Sequence, residues 1–320
     1  MPEITCIGIL VADLVGGPLV AYPSKGKLVT VENMGLYNGG CATNTGIALA
    51  RLGIDTQVLG MVGSDGLGDF LINLLKREGI DIQGIARSTT KNTSATMVIL
   101  NEGGERSFIH YIGANGEFGI NNIDFELLKN TKIAHIAGSF LMSQFDGHET
   151  AETLKTLKKM GIMTSLDTAW DSTGKWLSII EQCLPYIDIF IPSLDEAQMI
   201  SGKEKPEDIA EFFLPYGIRT VVLKMGEMGS FAQDSKERIY MPAFKADVKD
   251  TTGAGDAFVG GFLAGIAKGL DLRESLRLGN ALGALCVMSF GASSGVKSWE
   301  DTMRFIKEYE RGYQEKIGYL

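Results

Sequence analysis

The chain has 320 residues, 45% of them hydrophobic and 22% charged, enough for one large α/β domain or two smaller ones and ordinary for a soluble globular enzyme. Its net charge of −9 speaks against nucleic acid or an anionic membrane surface as a partner, because phosphate backbones reward Lys and Arg patches. The same charge leaves a nucleotide open, since backbone amides and a metal ion can hold one.

In chain order, the apolar run "ITCIGIL" (4–10) predicts a buried strand ending near Asp13. Residues 15–36, "VGGPLVAYPSKGKLVTVENMGL", mix Gly, Pro and short alternating runs and predict a hairpin. "CATNTGIALARLG" (41–53) carries apolar residues at helical spacing and stops at Gly53. Strand "TQVLGMVG" and helix "DFLINLLKREG" follow, and then residues 93–112, "TSATMVILNEGGERSFIHYI", alternate again and turn at "NEGGE". The beat resumes with strand "KIAHIAG", helix "ETAETLKTLKKMG", strand "MTSLD", helix "KWLSIIEQCL" and strand "IDIFIPS". Helix "PEDIAEFFLPYG" and strand "RTVVLKMG" come next, and helices are predicted over 255–268, 271–289 and 298–312. Strands alternating with helices predict a parallel, doubly wound sheet. The two hairpins predict antiparallel insertions, either surface decoration or a β-lid over the edge where open α/β sheets bind ligands.

Cys6, Cys41, Cys183 and Cys286 form no C-x-x-C pair, which fits free thiols in a reducing cytoplasm. "MPEITCIGIL" lacks the basic start of a signal peptide, and runs such as "FVGGFLAGIA" are about half the ~20 residues of a membrane span. The expectation is a soluble, cytoplasmic protein. His110, His135 and His148 have no metal-ligand spacing. No Gly-Lys pair is followed by Ser or Thr, and no G-x-G-x-x-G is completed, so neither a P-loop nor a dinucleotide fingerprint is present.

Two glycine-rich helix starts remain. In "KDTTGAGDAFVGGFLAGIA" (249–267), Asp256 either caps the first turn or stands beside an anion cradle made by the N–H groups of Gly253, Ala254 and Gly255. In "NGGCATN" (38–44), Asn44 either caps locally or bonds a ligand hydroxyl, to which an amide can donate and accept at once.

Together "GGCATNTGIALARLG" and "DTTGAGDAFVGGFL" resemble the two signatures of the ribokinase (PfkB) family of carbohydrate and nucleoside kinases, G-G-x-x-x-N and D-T-x-G-A-G-D, in the same order. "VGSDGLG" (62–68), "GGERSF" (103–108) and "VVLKMGEMGSF" (221–231) are similar to lesser family features, so the likeness runs from about residue 4 to 300. The resemblance implies a three-layer α-β-α, Rossmann-like, mostly parallel sheet with a small inserted β-sheet lid. Residues 1–14, 37–92 and 113–320 would form the large domain, and 15–36 and 93–112 the lid. It implies ATP-dependent phosphorylation of a hydroxyl on a sugar or polyol, with Asp256 as general base and Gly253, Ala254 and Gly255 as the anion hole. Asp13, Gly39, Gly40 and Asn44 resemble the sugar-binding set. Lys224, Gly226, Gly229, Thr251 and Ser193 fall in the nucleotide set. Glu196 is implied as a Mg²⁺ residue acting through water, and Asp250 and Thr252 as the carbonyls of a K⁺ site found in some relatives. A homodimer through the lid follows from the same likeness.

The chain departs from the family pattern at Ser193, where N-x-x-E is common, and at Val11, where ribokinases carry a polar residue. Cys41 and Ala42 place no cation near the substrate, which disfavours an already phosphorylated sugar. A nucleoside kinase, with Tyr22, Phe108 and Tyr111 stacking on a base, and a non-catalytic sensor on the same fold are the alternatives.

Overall fold

The computed structural model describes residues 2–101 and 106–317; the middle of the expected "NEGGE" turn lies outside them. The first half contains β1 (Ile4–Gly8), β2 (Val11–Leu19), β3 (Asn33–Gly39), α1 (Cys41–Arg51), β4 (Thr56–Gly63), α2 (Gly66–Arg77), β5 (Ile85–Ser88), β6 (Ala95–Asn101) and β7 (Arg106–Tyr111). Next come β8 (Ile133–Ser139), α3 (His148–Lys159), β9 (Met163–Thr168), α4 (Leu177–Ile180), β10 (Ile189–Phe190), α5 (Leu194–Ser201), α6 (Pro206–Phe213) and β11 (Thr220–Lys224). The chain ends with β12 (Ser230–Gln233), β13 (Arg238–Met241), α7 (Ala254–Ala267), α8 (Leu272–Val287) and α9 (Trp299–Ile317).

The main sheet runs β13-β12-β11-β10-β9-β8-β1-β4-β5, parallel from β11 to β5, with β12 and β13 joined antiparallel. Helices cover both faces, which is why β1 and β4 are buried at every position and show no polar alternation. Ile47, Leu71, Phe262, Leu278 and Ile306 belong to the core on one face, and Leu154, Ile180, Ile200 and Phe213 to the core on the other. This is the three-layer α-β-α arrangement with its small separate sheet, ordered β3-β2-β6-β7.

From β1 the chain builds outward through β4 and β5, then crosses to β8 on the other side of β1. The carboxyl ends of neighbouring strands diverge at such a switch point, leaving a crevice. Both excursions into the small sheet leave the main sheet at carboxyl ends, after β1 and after β5, so the small sheet stands over that crevice. Its strand β2 begins at Val11, so Asp13 belongs to the small sheet. Met34, Leu36, Tyr37, Met97, Phe108 and Ile109 leave it with large exposed apolar side chains.

Three local expectations differ from the structure. The helix expected over "KWLSIIEQCL" shrinks to the single turn of α4, entered through Trp176 at φ 41° and followed by Pro185. The strand expected over "IDIFIPS" is continuous only at Ile189 and Phe190; Pro192 has no N–H to give the ladder, and pairing resumes as a single bridge between Ser193 and Lys224. Helix α5 then starts at Leu194, capped by Ser193, within what reads as loop.

Candidate active site

The site is built from chain reversals at the crevice. Gly40 enters α1 at φ 87°, and a Cβ there would lie 2.4 Å from the Ile9 carbonyl oxygen. Gly253 enters α7 at φ 76°, where a Cβ would lie 2.3 Å from the Ala292 carbonyl oxygen. Only glycine fits either position without moving backbone. The helix then starts with Ala254, and its first-turn N–H groups have no carbonyl within the helix to bond. Gly253 and Gly255 therefore present amides at the positive end of a helix dipole, while the Ala254 N–H between them bonds the Thr251 carbonyl at 3.3 Å.

Asp256 does not cap its own helix. Its carboxylate Oδ2 accepts from Asn44 Nδ2 at 2.8 Å, while Thr45 Oγ1 donates to its backbone carbonyl at 3.3 Å. Helices α1 and α7 pack against each other, and that packing joins two residues 212 positions apart. Asn44 is itself oriented by Asn38, which donates to its Oδ1 at 2.8 Å; Ser293 in turn donates to Asn38 at 3.2 Å. The Cys41 thiol also bonds the Asp256 carboxylate. Burial pushes the Asp256 carboxyl above the ordinary aspartate range, against the opposing pull of Asn44 and Lys224. Asp13 lies against Gly39, where a Cβ would come within 2.2 Å of its Oδ2. Burial raises Asp13 to about 6; the Thr96 hydrogen bond opposes this, and the Asp256 charge adds to it. Asp13, Gly39, Gly40, Asn44 and Asp256 thus come together.

The second group lies at the ends of β9, β10 and β11. Lys224 Nζ bonds Asp167 Oδ1 at 2.7 Å. Burial raises Asp167 to about 7, with Lys224 opposing and Glu196 adding. Burial alone would lower Lys224, but the Asp167 and Glu196 charges outweigh it and hold the ammonium above its usual range. Ser193 and Glu196 form a reciprocal capping box at the start of α5. Glu196 Oε2 accepts from the Ser193 N–H at 2.9 Å and from the Thr168 hydroxyl at 3.0 Å. Gly226 and Gly229 bracket the tight turn joining β11 to β12.

A third group ties the small sheet to the α7 entry loop. Arg106 Nη1, from β7, pairs with Asp250 Oδ1 at 2.7 Å and also bonds the Thr252 hydroxyl. Asp250 further accepts from the N–H groups of Thr252 and Gly291 at 2.7 and 2.9 Å. Thr251 lies in the same loop, exposed, with its carbonyl accepting from the Ala254 N–H at 3.3 Å.

Sequence reasoning left out Asn38, Asp167, Thr168 and Arg106. Asn38 directly precedes the glycine pair, and Asp167 closes a predicted parallel strand at its carboxyl end, so both carried a usable signal. The pairing of Arg106 with Asp250 had none. His135, by contrast, is a core residue, bonded to Ser165 at 3.1 Å.

The pfkB family carbohydrate kinase profile matches residues 1–299. The chain belongs to the pfkB family of carbohydrate kinases. It is 33% identical over 262 residues, 80% of each chain, to the ATP-dependent 6-phosphofructokinase of Thermoanaerobacterium thermosaccharolyticum. To a ribokinase of Staphylococcus aureus it is 29% identical over 289 residues, 88% of this chain and 92% of that one. In structure it resembles a putative ribokinase II from E. coli, with TM-score 0.85 and 27% identity over 96% of this chain and all of the other. The same E. coli protein in complex with ATP and Mg²⁺ superposes with TM-score 0.84. The pfkB chain is therefore a carbohydrate kinase, a phosphotransferase with an alcohol acceptor and ATP as donor.

Two ions implied by the family can be tested against these residues. For Mg²⁺, Glu196 is engaged through Oε2, so it suits an ion held through water better than a closed protein cage. No group of three His, Cys, Asp or Glu side chains with metal-binding geometry occurs among the described residues. For K⁺ the fit is poor. Of the expected carbonyls, that of Thr252 accepts from the Cys286 thiol, which also donates to the neighbouring Ala292 carbonyl. The Ser293 and Val296 carbonyls accept from Arg51 Nη1 at 2.6 and 3.0 Å.

Proposed function

We propose that this pfkB kinase transfers the γ-phosphoryl group of ATP to a hydroxyl of an uncharged sugar or sugar-like polyol, with Asp256 as general base. Gly253, Ala254 and Gly255 form the anion hole, and Asp13, Gly39, Gly40 and Asn44 hold the acceptor. The nucleotide lies along Ser193, Lys224, Gly226, Gly229 and Thr251, and Glu196 orients the water shell of its Mg²⁺. The observation that carries this reading is the 2.8 Å bond between Asn44 and Asp256, which brings the acceptor-side motif onto the carboxylate of the phosphate-side motif.

Phosphoryl transfer needs in-line placement and charge stabilisation more than covalent help. First-turn amides meet the charge that develops on the equatorial oxygens. A carboxylate aimed away from its own helix is free to take the acceptor's proton. The side chains bonded to Asn44 and Asp256 (Asn38 and Cys41) are neutral, which favours an uncharged acceptor over a sugar phosphate. The small sheet acts as the lid that keeps water from ATP. Its exposed Met34, Leu36, Met97, Phe108 and Ile109 suit a second copy of the chain, so a lid-to-lid homodimer is part of the proposal, as is a cytoplasmic location.

The test is ADP release measured over a panel of sugars, inositols, sugar phosphates and nucleosides, with wild type and Asp256→Asn. Wild type is expected to turn over an uncharged sugar or polyol. The variant should bind ATP and acceptor as before while kcat falls by about 10²–10⁴-fold. A variant with near wild-type kcat rejects Asp256 as the base, and a nucleoside as sole acceptor rejects the sugar assignment.

A further inference from the structure

Lys224 and Asp167 form an ion pair whose side chains are only 13% and 2% exposed. Such buried pairs add little net stability, because desolvation offsets their attraction, and apolar replacements of equal volume are often neutral or better. The position of this pair is more informative. Lys224 ends β11, Asp167 lies near the end of β9, and both point into the crevice edge of the sheet. The lysine stem runs past the first turn of α7: a Cβ on Gly255 would lie 3.5 Å from Nζ and 3.9 Å from Cε. An ammonium is thus held against a helix N-terminus, where the dipole disfavours a cation. The Asp167 and Glu196 charges already favour the ammonium, and an anion shared between it and the helix start would be held by both. Glu196 is no competitor for that anion's place, since its Oε2 is occupied by Ser193 and Thr168. An ammonium carries three donors, and the bond to Asp167 uses one.

We infer that Lys224 is a catalytic residue: its ammonium meets the γ-phosphoryl group in flight, beside the amides of Gly253–Gly255, and Asp167 is the positioning residue that holds it there. The inference rests on the kinase reading of the Asn44–Asp256 site and assigns Lys224 to the transferring phosphoryl group rather than to the rest of the nucleotide. Charge spreads over three equatorial oxygens during transfer, so a fixed cation at the helix end acts most strongly on the transition state.

The experiment compares wild type, Lys224→Met and Asp167→Asn in three measurements. These are steady-state turnover with the acceptor found above, affinity for ADP alone, and affinity for ADP with aluminium fluoride as a mimic of the phosphoryl group. Lys224→Met should lose about 10²–10³-fold in kcat, as removal of one oxyanion donor does, with acceptor KM and ADP affinity within about threefold. Its affinity for the ADP–aluminium fluoride pair should fall by a similar factor. Asp167→Asn keeps the ammonium and should fall between the two. A Lys224→Met kcat within threefold of wild type overturns the inference, and so does an equal loss of ADP and ADP–aluminium fluoride affinity, which marks a merely structural role. Should wild type itself turn over no acceptor, the failure lies with the Asn44–Asp256 reading, and this inference falls with it.

Discussion

Replacing Asn44 by Ala isolates the contact that joins the two halves of the site. Asn44 Nδ2 donates to Asp256 Oδ2 at 2.8 Å, and a hydrogen bond to a charged group contributes about 1.5–3 kcal/mol. That bond favours the ionised carboxylate, whereas burial, the larger influence, favours the protonated one. The sign follows directly. With Asn44 gone, the burial effect is less opposed, the Asp256 carboxyl holds its proton to higher pH, and the fraction of active base at a given acidic pH falls. At 1.4 kcal/mol per factor of ten, the loss on the acid limb of kcat/KM is roughly 10–100-fold relative to wild type at the same pH. On the alkaline plateau the base is ionised in both proteins, so the remaining difference reports Asn44's contact with the acceptor. The assay is kcat/KM for ADP release measured across the acid limb and the plateau, with Asn38→Ala as a milder companion that removes the bond orienting Asn44 and the one from Ser293 while leaving the Asn44–Asp256 bond. An acid limb at the wild-type pH in a folded Asn44→Ala protein would refute the reasoning, because the Asn44 bond would then have no hold on the titrating base.

Arg106→Gln removes the ion pair between β7 and Asp250 that fastens the small sheet to the α7 entry loop. The expected outcome is an acceptor KM several-fold higher and faster ADP release without acceptor; unchanged acceptor-free hydrolysis counts against the lid reading. Asp13→Asn should trade activity for stability. Burial holds the Asp13 carboxyl at about 6, above the 3.8 of an ordinary aspartate, so its favourable contribution is full below about pH 4 and is lost as pH rises through about 6. The neutral variant should therefore be more stable than wild type by up to about 2–3 kcal/mol above pH 7, with no gain below pH 4. Melting curves of both proteins at the two pH values check this, and an equal difference at both would show that the carboxylate charge is not the cause.

The alternation of apolar runs with capped helical stretches revealed most of the main sheet, because buried parallel strands and amphipathic helices imprint different periods on the chain. Elements set by long-range pairing were less legible. The four residues of β5 pair only through β4, and β12 and β13 form an antiparallel edge that local pattern does not distinguish from loop. The glycine starts at Gly40 and Gly253 were legible because only a residue without a side chain fits so close to another backbone. Asp256 beside Asn44 was legible as two motifs, but the bond between them depends on how α1 packs against α7. The same holds for Lys224: its spacing placed it near the nucleotide, while its partner Asp167 arrives from another strand. Arg106 is the clearest case, a surface-strand arginine in sequence and an ion-pair partner of the α7 entry loop in space.

A chain with net charge −9 sets four carboxylates, Asp13, Asp167, Glu196 and Asp256, around one buried ammonium, yet the pfkB reaction brings a polyanion to them. Part of the answer lies in how burial acts on the carboxylates. Burial raises Asp13 and Asp167 above the ordinary aspartate range, and the Lys224 ammonium offsets the charge of Asp167. Asp256 is likewise raised by burial, with the Asn44 amide, the Lys224 field and the Cys41 thiol opposing, as Lys224 opposes at Asp167 and Thr96 at Asp13. The groups that favour the ionised form of Asp256 include Lys224, the cation inferred to meet the phosphoryl group, which on that inference would serve both ends of the transfer. Removing it should weaken the base and the anion hole together, whereas removing Asn44 should weaken the base and its hold on the acceptor but leave the anion hole intact.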